Sequence, residues 1–202
     1  MALSRGGIAR DRLVGPGSTL GGLAMHAMPH TFVKQVQYGT VTIGNSVATG
    51  TATITSVDVN HSLLFFLGSS YDDTESSQAR GACRVSLTNA TTVTADQSAA
   101  NTAAEVNSVN FCVIEFYPGV LRSVQRGTIS LASDADVDAT ITAVNTAKAF
   151  VNYLGHSSSA ATHDNQNFYH KLTLSAATTV NATRGVASSN TAIVGYQVAE
   201  FY

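Results

Sequence analysis

The sequence predicts an all-β protein: two tandem copies of a roughly six-stranded antiparallel β-sandwich, preceded by an extended N-terminal arm. Three observations carry this expectation. The 202-residue chain is rich in Thr, Val, Ser and Ala and only 12% charged, against about 25% usually, and β-branched residues suit pleated strands. Apolar and polar residues alternate over short runs punctuated by Gly, Asn, Asp and Ser, the signature of half-buried strands. Finally, one series of segments occurs twice in the same order, and such self-similarity decides an architecture before any single element does. With 44% of residues hydrophobic, the low charge does not signal disorder.

Residues 1–33 stand apart. Gly6-Gly7, Gly15-Pro16-Gly17 and Gly21-Gly22 interrupt every pattern, and Arg5, Arg10 and Arg12 face Asp11 alone, whereas the whole chain carries −2. A segment of this kind orders against a partner surface, and arginine forks pair with carboxylates there. Arg5, Arg10 and Arg12 are therefore the candidate docking residues.

The first copy spans 34–117. Its opening strand, Lys34-Gln-Val-Gln-Tyr-Gly-Thr40, returns as Arg122-Ser-Val-Gln-Arg-Gly-Thr128. Val41–Ile43, Ala52–Val57 and Val85–Leu87 alternate as half-buried strands do. Leu63-Leu-Phe-Phe-Leu67 is apolar throughout and reads as a strand buried on both faces that ends at Gly68. Val109–Tyr117 closes the copy. The second copy spans 118–202: Ala139–Val144 repeats Ala52–Val57 at a spacing of 144 − 57 = 87 residues. Leu154-Gly155 answers Leu67-Gly68, Lys171–Val180 answers Arg84–Val93, and Val198-Ala-Glu-Phe-Tyr202 answers Val113-Ile-Glu-Phe-Tyr117. Pro118-Gly119 marks the turn between copies.

Several functional classes are excluded as expectations. No apolar run approaches the roughly 18–20 residues of a membrane-spanning helix, and no secretory signal opens the chain. Near-balanced charge argues against a nucleic-acid partner. Cys83 and Cys112 are too few for a disulfide framework or a four-ligand zinc site. There is no strand-to-helix phosphate cradle and no Gly-x-Ser-x-Gly elbow. Glu115 and Glu200 occupy equivalent strand ends, which reads as a repeated structural role rather than a catalytic pair. Asp134-Ala-Asp-Val-Asp138 imitates a calcium loop, but Ala139 and Asn145 stand where that loop needs Gly and Glu. His156, His163 and His170 gather around one loop without zinc spacing. No catalytic residue, metal site or cofactor is expected.

The loops remain. Residues 68–80 and 155–169 are long, polar and different between copies, as in scaffolds that carry binding on their loops. Tyr71, Asp72 and Asp73 in the first, and His163, Asp164, Phe168 and Tyr169 in the second, are the candidate receptor or glycan residues. Aromatic faces there can stack on sugars while carboxylates accept hydroxyl hydrogen bonds.

The Val-Gln-x-Gly-Thr strand, Ala-Thr-Ile-Thr strand, Leu-Gly-Ser loop start, Thr-Asn-Ala-Thr-Thr-Val segment and closing Glu-Phe-Tyr together resemble repeats of tailed-bacteriophage structural proteins of the fibre, spike, collar or decoration type. The resemblance covers residues 34–202. It implies a non-enzymatic virion component, made in the host cytoplasm and anchored to other virion proteins through residues 1–33. A looser similarity to H-type lectins, which are six-stranded sandwiches that associate as trimers, implies the alternative of a carbohydrate-binding adhesin recognising a host-surface glycan. A capsid decoration protein is the third possibility the resemblance allows. The closing strand of the first copy carries Cys112, Ile114 and Phe116 on its second face. A two-layer sandwich leaves that face uncovered, so a homo-oligomer is expected to bury it, and the fibre-type resemblance implies a trimer.

Overall fold

The computed structural model describes residues 32–72, 81–101, 106–159 and 169–202. These form twelve strands and one 3₁₀ turn, Val59–His61. In the first half the strands are β1 (Val33–Ile43), β2 (Thr49–Thr53), β3 (Ser62–Asp72), β4 (Arg84–Asn89), β5 (Thr92–Asp96) and β6 (Val106–Phe116). The second half contains β7 (Leu121–Leu131), β8 (Asp136–Thr140), β9 (Ala149–Ser158), β10 (His170–Ala176), β11 (Thr179–Arg184) and β12 (Ala192–Phe201). All pairings are antiparallel, in three sheets ordered β1-β6-β3, β10-β11-β8 and β2-β5-β4-β9-β12-β7. The all-β class expected from the sequence is what the chain adopts.

Pairing in the second half follows that of the first. β6 lies between β1 and β3 as β12 lies between β7 and β9, with Tyr38 opposite Cys112 and Arg126 opposite Gln197. Likewise Ala52 faces Val93 and Ala139 faces Val180. Alternation decides which side chains turn inward. Val41, Ile43, Val109, Phe111 and Val113 from β1 and β6 meet Val85, Val93 and Ala95 from β4 and β5 in one core. Ile129, Leu131, Val194, Tyr196 and Val198 meet Val180 and Ala182 in a second. Facing sheets with interleaved apolar side chains form a sandwich-like packing.

Two strands differ from the sequence expectation. The run at Ala52–Val57 is strand only to Thr53, after which the Ile54 and Val57 N–H groups bond to Thr91 and Ala90 carbonyls outside any regular ladder. β3 does not end at Gly68. That residue has φ +114° and the register against β6 shifts between Phe66 and Gly68, so Leu67 is the additional residue of a bulge and the strand continues to Asp72. A bulge re-aims side chains. Leu67, expected inside, is 53% exposed.

The halves join where β4 meets β9. Arg84 pairs with Gly155, and the His156 N–H donates to the Cys83 carbonyl at 3.1 Å. Gly155 is required twice over. Its φ is +88°, and a Cβ there would run into the Cys83 carbonyl oxygen and lie 2.8 Å from the Arg84 Cα. Leu154, only 3% exposed, belongs to the core of the first half although its strand belongs to the second. A third apolar cluster, with Leu63 and Phe65 on one side and Leu121, Val124, Phe150, Ala199 and Phe201 on the other, also bridges the halves.

Candidate functional site

Of the residues singled out by the sequence, Arg5, Arg10, Arg12, Asp73, His163, Asp164 and Phe168 lie outside the described residues, as does the expected arm over 1–33 apart from its last two positions. Asp72 ends β3. Tyr71, also on β3, is half-buried, with its ring carbons 3.6 Å from the position a Cβ on Gly81 would take. Tyr169, just before β10, is 75% exposed. Tyr71 and Tyr169 belong to different halves.

Glu115 and Glu200 have matching roles. Each carboxylate is buried and accepts a backbone N–H that follows the β2 or β8 segment, from Asp58 at 3.0 Å and Asn145 at 2.9 Å. Glu115 also takes Lys34 at 2.9 Å and Gln35 at 2.6 Å, while Glu200 takes Arg122 at 3.3 Å and Ser123 at 3.4 Å. Burial pushes the Glu115 carboxyl up, but Lys34, the Asp58 N–H and Gln35 together hold it below the usual range. Hydrogen bonds to the ionised form produce that direction. In the acidic stretch 134–138, the Asn181 amide donates to both Asp136 and Asp138. No group of three or more potential metal ligands occurs among the described residues. Cys83 and Cys112 are buried and form no disulfide, and burial pushes the Cys83 thiol up to about 11.

A polar cluster at one end of the second half was legible only in part. His156 on β9 and His170 on β10 stand with ring centroids 4.5 Å apart, and the Tyr153 hydroxyl lies 2.5 Å from the His156 Nδ1. Burial lowers both imidazoles to about 4 and pushes the Tyr153 phenol up, so near neutral pH the histidines are uncharged and the phenol keeps its proton. Beside them runs an open groove of 490 Å³ lined by Tyr153, Tyr169, His170, Lys171, Thr183 and Arg184. The Arg184 guanidinium holds its rim by donating to the Asn190, Ser188 and Ala132 carbonyls. Neutral donors and acceptors, an exposed aromatic ring and two cations suit a contact surface better than proton transfer at neutral pH. Sequence spacing grouped the histidines, but the contact with Tyr153 follows from the bulge at Gly155.

The second feature is the outer face of sheet β1-β6-β3. Tyr38 is 75% exposed there, Val36 and Leu67 are also exposed, and Ile114 and Phe116 are half-buried. Cys112, on the same face, is buried. The corresponding face of β7-β12-β9 is covered by the first half. Arg126 donates to Gln197 at 2.9 Å, to the Val59 carbonyl at 3.0 Å and to the Ser62 carbonyl. Gln197 and Asn152 take up the backbone of Leu64. Desolvation lowers the Arg126 guanidinium to about 10.

No family model, curated protein or solved structure matches the chain. No helix among the described residues is long and apolar enough to cross a membrane.

Proposed function

We propose that the protein is a non-enzymatic structural component of a bacteriophage virion, a surface fibre, spike or collar protein whose two sandwiches are copies of one unit. The observation that carries the reading is the recurrence of one strand order and register in both halves together with an apolar outer face on the first. Repetition of a rigid β-unit builds extended assemblies, and an exposed apolar face marks a contact with another protein. The matched capping roles of Glu115 and Glu200 support the common origin of the halves. Residues 1–33 anchor the protein to other virion proteins, and the chain associates with itself, as a trimer by preference.

The test is incorporation. Particles made with the full chain carry it, as read by mass spectrometry of purified virions. A chain beginning at residue 34 folds but is absent from them. A truncated chain that incorporates normally overturns the anchoring role, and absence of the full chain from virions overturns the reading. In the same series a glycan array separates the competing adhesin function: binding abolished by Tyr169→Ala supports the adhesin against a purely structural part.

A further inference from the structure

We propose that the protein assembles head to tail with further copies of itself. The β3 edge and outer sheet face of one chain receive the β10 edge of the next, in the geometry by which β9 already receives β4 within the chain. The inference rests on the equivalence of the two halves and is independent of where on a particle, or whether on one, the protein acts.

Three contrasts between equivalent positions support it. The first is in the strand edges. β4 is bonded to β5 on one side and to β9 on the other, whereas among the described residues its counterpart β10 pairs only with β11, and β3, the counterpart of β9, pairs only with β6. Among the described residues, one donor edge and, beyond Leu64 whose backbone is taken by Gln197 and Asn152, one acceptor edge of the same interface are thus left over. Open edges of this kind are templates for a further strand.

The second contrast is burial. Leu154 is 3% exposed in the core of the first half, but Leu67 at the matching bulge is 53% exposed. Ala82 before β4 is 7% exposed, and Tyr169 before β10 is 75% exposed. Gly68 keeps the positive φ that Gly155 needs to approach β4, yet a Cβ on Gly68 would meet nothing within 4 Å. The backbone is therefore shaped for a close approach that no described residue makes.

The third contrast is in the cavities. Between the halves lies a 390 Å³ cavity with Arg126, Gly127, Thr128, Leu154 and Gly195 as one wall and β4 as the other. An open depression of 370 Å³ is lined by Tyr38, Gly39, Thr40, Leu67, Asn110 and Phe111. Its first five residues are the counterparts of that first wall, without the opposing strand. The groove beside His170 and Lys171 shows the converse. At its counterpart in the first half the end of β9 is seated, with the Ser98 hydroxyl donating to the Ser158 carbonyl. In the second half the groove is open.

The contact follows by substitution of equivalents. The Ser69 N–H donates to the His170 carbonyl of the next chain, Gly68 lies against Lys171, and Leu67 enters between β10 and the sheet at the level of Leu172 and Leu174. Because donor and acceptor patches differ, the interface is heterologous and propagates until it closes. The trimer proposed above is then a ring of six alternating halves.

Sedimentation velocity of the full chain at micromolar concentration tests this. The wild type runs as a closed species of several chains. Leu67→Asp and Ser69→Pro each give the 21.0 kDa monomer with an unchanged circular dichroism spectrum, and Val47→Asp, an exposed apolar residue outside the contact, leaves the assembly intact. Chains carrying Ser69→Cys and chains carrying His170→Cys, mixed and oxidised, form a disulfide between one of each, since these positions oppose each other as His156 opposes Cys83. A monomeric wild type overturns the proposal, as does an assembly that survives both edge variants. A Ser69→Cys chain that cross-links to itself overturns the head-to-tail geometry. Should Leu67→Asp fail to fold, the proline variant and the cross-link decide the matter. None of these outcomes depends on finding the protein in virions.

Discussion

Leu154→Ala removes a side chain that the second half contributes to the core of the first, so its cost measures the junction between them. Burying a leucine fully contributes about 1.5–3 kcal/mol. Deleting one from a packed site costs about 2–5 kcal/mol, the higher end where neighbours cannot collapse into the space. Collapse is restricted here. The bulge that carries Leu154 is fixed by the Gly155 backbone and by the His156 N–H bond to Cys83, and Leu64 and Phe111 in the same cluster belong to strands of a different sheet. We therefore expect a loss of about 3–4 kcal/mol. Leu67→Ala is the internal control: the same residue type at the matching bulge, 53% exposed, with a cost to the single chain of about 0.5 kcal/mol. Urea unfolding followed by tyrosine fluorescence and circular dichroism, at a dilution where the chain is monomeric, gives both values. The reasoning is refuted if Leu154→Ala costs under about 1 kcal/mol or if the two substitutions cost the same.

Further expectations follow from the same geometry. Gly155→Ala combines a left-handed backbone, about 1–2 kcal/mol, with a collision against the β4 backbone, while Gly68→Ala incurs only the first; equal thermal shifts would show that the β4–β9 junction does not form. Glu115→Ala leaves the part-buried Asp58 N–H without its acceptor and the Gln35 amide with the Ser56 carbonyl alone, and costs about 1–2 kcal/mol in urea unfolding; a change within error would remove the carboxylate from the fold's support. For His156 and His170 the folded values near 4 lie below the unfolded value of about 6.5. The folded chain thus binds fewer protons, and the stability these groups confer is complete above about pH 6.5 and is lost as pH falls toward 4. Unfolding free energies between those limits should decline by up to about 1.4 kcal/mol per pH unit for each group, and His170→Phe should flatten the profile; a flat wild-type profile would place the imidazoles in solvent.

What the sequence made legible was whatever depends on local pattern. Alternation at Val41–Ile43 and Val85–Leu87 placed strands because period two has one meaning on a half-buried sheet. The repeat of Glu-Phe-Tyr identified Glu115 and Glu200 as structural before their partners were visible. The continuation of β3 past Gly68 was not legible, since a glycine after an apolar run ends a strand as readily as it starts a bulge. Nor could the exposure of Leu67 be foreseen. Its neighbours are all apolar, so alternation gives no sign that the face it shares with Leu63 and Phe65 is packed at those two residues and open at Leu67. Cys112 is buried although its strand face is the outer one, because burial there depends on side chains from neighbouring strands that no local pattern encodes. The pairing of His156 with Tyr153 and His170 likewise comes from a bulge and a sheet contact, both long-range.

The differences between the halves carry as much information as the matches. Where scaffold residues coincide, as at Gln37 and Gln125, each amide makes the same two bonds to a strand-following backbone, at Thr55 and Thr142. Where they differ, the difference falls on the surfaces that meet between halves. Arg126 reaches the Val59 and Ser62 carbonyls of the first half, and its counterpart is Tyr38, which has no cation to offer. Gln197 and Asn152 bond the Leu64 backbone, and their counterparts Cys112 and Phe65 are apolar. The contact inside the chain thus adds hydrogen bonds to the first half's backbone to its apolar packing, whereas Tyr38, Cys112 and Phe65 at the equivalent positions of the first half offer no such donors and acceptors. Two interfaces built on one backbone geometry but with different chemistry cannot exchange partners without leaving buried carbonyls unpaired or apolar side chains wet. In the head-to-tail assembly proposed above, that asymmetry would fix the order of the halves.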